Sequence, residues 1–224
     1  MPNIEPTIES IEGYIHFLNT CIGSGVANIQ PTVKLADHTY NEKLSNIGYE
    51  YYIKSAHDHY FVSRTLFMNY FFDYSLFSAY QCIENYLKAF IKNKNQVPPL
   101  THNLIMLKEK SSKLATNNDA FIDSVELSTI IYKYNPFYTI PRYPVSREKW
   151  FPHAHLHPND IYVLDYFVMK FRQMLPLPDN MSDIFKENDF TKILCRDNAP
   201  NFYNTFLQGN INFPAKSEEA EAYS

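Results

Sequence analysis

Apolar residues recur every three or four positions along most of this chain, and no segment with the period of two that a strand requires competes with them. The first stripe, Ile8, Ile11, Ile15 and Leu18, predicts a short amphipathic helix that Gly23 and Gly25 break, with Pro31 in a loop beyond. From about residue 42 to 70, Tyr49, Tyr52, Ile53, Ala56, Tyr60, Ser63, Phe67 and Tyr70 mark one face of a long helix. Asp73, Tyr74 and Ser75 are expected to supply a turn and a cap. A second long helix then carries Leu76, Ala79, Tyr80, Ile83, Leu87 and Phe90 inward, with Gln81, Glu84, Lys88 and Lys92 on its outer face. Glu84 and Lys88 stand four apart, the spacing of a favourable helical ion pair.

Pro98 and Pro99 stop that helix, and Leu100, Leu104, Leu107 and Leu114 define a third with Thr101 as its expected N-cap. Asn117, Asn118 and Asp119 restart the chain into a shorter fourth helix around Phe121, Val125 and Tyr132. Five prolines between Pro136 and Pro158 require a long, largely non-helical connection, of a length that compact domains usually reserve for function. A last helix from about Asn159 to Leu175 buries Ile161, Leu164, Val168 and Phe171 and ends at Pro176 and Pro178. Beyond it, Ile184, Phe185, Phe190, Ile193 and Leu194 are candidates to dock on the bundle, and the end reads as a solvated acidic tail. The expectation is an all-α, up-and-down antiparallel helix bundle over 42–175, an N-terminal helical appendage over 1–41 and a C-terminal extension over 176–224.

Composition narrows the function classes. The chain has 224 residues, 45% of them apolar and 20% charged, enough to build a real core. With 18 Tyr, 17 Phe and only 5 Gly, its rings suit thick helix packing, an interface or a base-stacking surface. The net charge of -4 gives no global positive field, so non-specific DNA binding is not expected and any nucleotide contact must be local. Cys21, Cys82 and Cys195 are odd in number and widely spaced, which argues for reduced thiols, a cytoplasmic setting and no structural zinc. The acidic start lacks the basic and apolar regions of a secretory signal, and no stretch approaches the roughly 20 apolar residues of a membrane span. No Walker loop, GxGxxG, HExxH or G-x-S-x-G occurs, and no cofactor is expected.

Ala79, Gln81, Glu84, Leu87, Lys88 and Ala89, then Pro99, Thr101, His102 and Leu104, then Arg142, Tyr143 and Pro144, form an ordered set. In that order they resemble the HEPN family, whose second helix reads A-x-Q-x-x-E-x-x-L-K-A before a proline-containing turn and a T-H-x-L start. The resemblance implies a helical bundle, often dimeric. It implies either nucleotide binding, commonly beside a nucleotidyltransferase partner, or metal-independent ribonuclease activity. The first expectation is a non-catalytic module for a nucleotide, RNA or partner protein, with Lys88, His102, Arg142 and Tyr143 as candidate nucleotide-binding residues. The alternatives are a ribonuclease and a structural dimerisation module.

For the ribonuclease, the resemblance points to Arg147 and His153, with five residues between them. His would move the proton and Arg would steady charge on the phosphorus as a 2′-hydroxyl attacks. Pro152 interrupts any continuous helix that would present both. His153, His155 and His157 alternate as a metal strand would, without a close acidic or Cys partner other than Asp160; the competing reading is a polar, helix-capping loop. Lys88, Lys92 and Lys94, with Lys108, Lys110 and Lys113, offer either a phosphate-binding face or a solvated outer face. Arg142 and Tyr143 offer a guanidinium and a stacking ring to a nucleotide, or anchor their loop to the bundle.

Overall fold

The computed structural model describes residues 6–23, 47–138, 157–179, 181, 183, 185, 206–207 and 209–213. Among them every regular element is a helix: α1 (Ile8–Gly23), α2 (Tyr49–Met68), α3 (Phe72–Asn93), α4 (Leu104–Ser112), α5 (Val125–Tyr134) and α6 (Asp160–Met174). Two 3-10 stretches, Asn117–Asp123 and Asn135–Tyr138, flank α5.

Helices α2 and α3 form the antiparallel spine, joined by a three-residue turn in which Tyr70 takes a left-handed φ of 65°. Their stripes meet as the periodicity predicts: Tyr52, Ile53, Ala56, Tyr60 and Phe67 face Leu76, Ala79, Tyr80, Ile83, Leu87 and Phe90, all buried. Each fully buried large apolar side chain contributes roughly 1.5–3 kcal/mol. Two serines lock the hairpin reciprocally: Ser63 Oγ donates to the Ser75 carbonyl (2.9 Å) and Ser75 Oγ to the Ser63 carbonyl (2.8 Å). Ser75 therefore clasps α2 rather than capping α3, whose N-cap is Phe71, with no side-chain hydrogen bond.

Three further expectations are corrected. Asn103, not Thr101, caps α4, accepting from the N–H groups of Ile105 (2.9 Å) and Met106 (3.4 Å), while Thr101 Oγ1 accepts from the Asn103 N–H. In α5 the buried face is Leu127, Ile130, Ile131 and Tyr134, whereas Val125 and Tyr132 are exposed. The stripe was out of phase because α5 starts afresh at its own cap, Ser124, after the 3-10 stretch, so Phe121 does not share its periodicity. Glu84 is not on an outer face but 3% exposed.

Helix α1 packs on α5 and α6 through Ile11, Tyr14 and Ile15, while Ile8 stays exposed. Asp160, buried at the head of α6, ties these three helices together: it accepts from the Tyr14 hydroxyl (3.1 Å) and the His157 N–H (2.8 Å) and pairs with Lys133 (3.0 Å). His157 Nδ1 in turn accepts from the Asn159 N–H, so this histidine serves the start of a helix. Among the described residues no group of three His, Cys, Asp or Glu side chains could hold a metal; His153 and His155 lie outside them. No described helix is long and apolar enough to cross a membrane.

Candidate functional site

Most charged side chains of the bundle are either on the surface or sealed within it. The cluster around Glu84 is neither. Its base is the carboxylate of Glu84, at mid-length of α3, which the helical period turns inward beside Tyr80 and Leu87. Lys88 lies one turn on and donates from Nζ to Glu84 Oε1 at 2.6 Å, its aliphatic stem largely covered. The chain leaves α3, turns at Asn95 in a left-handed conformation (φ 57°), and returns alongside the helix so that His102 reaches the same carboxylate. His102 Nδ1 lies 3.0 and 3.1 Å from the two Glu84 oxygens.

Burial by itself pushes the Glu84 carboxyl up, but the His102 hydrogen bond, the Lys88 charge and the Lys88 hydrogen bond outweigh it and leave Glu84 below the ordinary carboxylate range. An ionised carboxylate only accepts, so Nδ1 of His102 carries a proton and donates to Glu84. The His102 ring is stacked on Tyr138, with centroids 4.5 Å apart and planes at 13°. Tyr138 ends the 3-10 stretch after α5, and Asn135, at its start, fixes the approach by accepting from the Leu104 N–H (3.0 Å). Tyr80 closes the floor: its ring is 5.5 Å from that of Tyr138, and its buried hydroxyl has no hydrogen-bond partner among the described residues. Burial, then the nearby Glu84 charge, holds that hydroxyl far above its usual pKa. The side chain of His102 is 42% exposed, against 4% for Glu84. The arrangement is a two-ring platform at the surface, oriented from below by a buried ion pair, with its local charge balanced between Glu84 and Lys88.

A family model for the HEPN domain matches residues 49–160, half of the 224-residue chain. The chain belongs to the HEPN domain family. Comparison with curated proteins and with solved structures gives no match. Of the residues expected to bind a nucleotide in this HEPN domain, Lys88 and His102 meet on Glu84. Arg142 and Tyr143 lie outside the described residues, as do Arg147 and His153 of the ribonuclease alternative. The basic face divides: Lys88 is committed to Glu84 and Lys94 to Asp119 (2.7 Å), while Lys113 is exposed.

Sequence reasoning missed the parts played by Glu84, Tyr80 and Tyr138. A signal for Glu84 was present, since the glutamate falls one residue after Ile83 and three before Leu87 on the buried arc. Tyr138 had no such signal, because its partner His102 is 36 residues away and only the returning loop brings the rings together.

Proposed function

We propose that this HEPN domain is a non-catalytic module that binds a nucleotide or short single-stranded RNA at the Glu84–Lys88–His102–Tyr138 corner. The observation that carries this reading is the His102–Tyr138 stack, half-open to solvent and held in one orientation by a buried carboxylate. Aromatic faces add a base to such a stack at roughly 1–3 kcal/mol per base, whatever its sequence. Rigid pre-orientation by Glu84 lowers the ordering cost of binding. Because Lys88 is spent on Glu84, the corner supplies stacking rather than phosphate charge. Arg142 and Tyr143, four and five residues after Tyr138 in the sequence, are the groups we assign to the phosphate and to a further ring contact. The chain's net charge of -4 accords with local rather than long-range capture.

The test is titration of the purified full chain with mononucleotides and short single-stranded RNA, followed by inspection of the RNA. Saturable binding is expected, weakened roughly ten- to hundred-fold by Tyr138→Ala or His102→Ala, with the RNA intact. Equal affinity in both variants would remove the corner as the site. Metal-independent cleavage abolished by Arg147→Ala and by His153→Ala would favour the ribonuclease instead.

A further inference from the structure

Helix α1 precedes the residues that match the family, and its outward face is not that of an ordinary solvated helix. Its inner side is accounted for: Ile11, Tyr14 and Ile15 are buried against α5 and α6. So is its start, where Thr7 Oγ1 accepts from the Ser10 N–H and Ser10 Oγ from the Thr7 N–H, both at 3.2 Å. The outer face carries Glu9, Gly13, His16, Phe17 and Thr20, all exposed. Two of these are unfavourable in water. Gly13 stands in the helix interior, where glycine is a poorer choice than alanine, yet an added Cβ would meet no atom within 4 Å. Phe17, one turn on, stacks on Tyr14 with centroids 6.4 Å apart and still leaves 45% of its surface to solvent.

A helical glycine with open space above it and an exposed ring beside it suits the close approach of a second helix. The spacing along α1 identifies that helix. At about 100° per residue, Glu9 and His16 fall on one flank of Gly13, and Ser10 and Phe17 on the other. A two-fold axis at Gly13, perpendicular to α1, lays a second α1 antiparallel on the first and sets each flank against its own copy. Glu9 of one chain then comes level with His16 of the other to within about 1.5 Å along the helix, twice over, and Phe17 comes to the same level as the second Ser10. The charges agree with this direction. Glu9 has no partner among the described residues, and His16, whose Nε2 lies 3.1 Å from Glu126, has none among them at Nδ1. A parallel pairing would instead set Glu9 against Glu9 and His16 against His16.

We infer that the outer face of α1 is an interface with a second copy of this chain, an antiparallel helix pair centred on Gly13 with reciprocal Glu9–His16 contacts. Gly13 sets how closely the helices approach, Phe17 supplies apolar contact, and the two Glu9–His16 pairs fix the direction. The imidazole of His16 then lies between two carboxylates, Glu126 of its own chain and Glu9 of the second. One helix face per copy is smaller than a standard interface, so the dimer is weak and forms with rising concentration. The inference is independent of nucleotide binding at the His102–Tyr138 corner.

The experiment is sedimentation equilibrium of the purified full chain from micromolar to near-millimolar protein, where a monomer–dimer equilibrium is expected. Gly13→Leu and Phe17→Ala should each weaken the dimer about ten-fold or more, and Glu9→Lys should weaken it by a smaller factor. Tyr70→Ala removes a still more exposed ring, on the turn between α2 and α3, and should leave association unchanged. Gly13→Ala separates association from folding, should another variant fold poorly: it should raise the melting temperature of the dilute monomer while weakening the dimer. A chain that stays monomeric throughout, a dimer that folded Gly13→Leu and Phe17→Ala keep at full strength, or one that Tyr70→Ala weakens as much as they do would overturn the inference.

Discussion

Two buried carboxylates of this bundle have nearly the same partners and opposite fates. Asp165 on α6 receives Arg64 and the Tyr60 hydroxyl, and Glu84 on α3 receives Lys88 and His102. Burial pushes Asp165 up to about 6 against the pull of Arg64 and Tyr60, so it is ionised at neutral pH with little to spare. At Glu84 the same desolvation is outweighed and the group stays below its ordinary value. The difference is water. Arg64 is wholly enclosed with its carboxylate, whereas the His102 and Lys88 side chains keep 42% and 14% of their surface and leave one side of the cluster open. A sealed ion pair sets which helices meet, and an open one can orient a surface group for a ligand.

The comparison breaks most readily at the sealed pair. Asp165→Ala should cost about 3–5 kcal/mol in urea unfolding, because it strands the Arg64 guanidinium inside the bundle, whereas Arg64→Met combined with Asp165→Leu should cost much less. A single variant no worse than the double would show that the pair is not enclosed in solution.

His57, 3% exposed beside Tyr86 and Phe185, gives the next largest effect. Burial, then the Arg172 charge, lowers it from 6.5 to about 4, with Asp183 opposing. Below pH 6.5 the unfolded chain takes up a proton that the folded imidazole refuses until about pH 4. Its contribution is therefore present above pH 6.5 and lost as the pH falls, by about 3 kcal/mol in all. Asp165 acts oppositely between its ordinary value and about 6, so the wild-type slope is the balance of the two. The stability difference between wild type and His57→Phe, followed from pH 7 to pH 4, isolates the histidine and should change in His57→Phe's favour.

At the open cluster the effects are smaller. Glu84→Gln should destabilise by about 1–3 kcal/mol at pH 7, as Lys88 and His102 lose a charged acceptor. Since Glu84 is held below its ordinary value, that penalty should shrink as the pH falls through the carboxylate range. His102→Ala, at a half-exposed position, should cost under about 1 kcal/mol in thermal unfolding. A loss as large as that of Asp165→Ala would mean that the corner belongs to the architecture.

The spine and α6 were legible because their apolar stripes are long and regular: Leu76 to Phe90 and Ile161 to Phe171 are buried where the period puts them. The HEPN resemblance was legible in the same stretch, through Glu84, Lys88 and His102. Hidden were the charges that share those stripes. Arg64 falls between Tyr60 and Phe67 on the inner face of α2, and Asp165 directly follows Leu164, so an apolar count passes over both although their positions are inward. Asn210 and Asn212 carried no periodic signal at all, because they are placed by hydrogen bonds to Tyr60 and Asp165, 150 and 47 residues earlier in the sequence.

The most direct test of the contrast is a nuclear magnetic resonance titration of the full chain with a mononucleotide, following side-chain signals at both clusters. Saturable shifts of the His102 and Tyr138 ring resonances are expected while those of Tyr60 and the Arg64 guanidinium stay in place. Shifts confined to the Arg64–Asp165 cluster, or none at His102 and Tyr138 at saturating nucleotide, would contradict it.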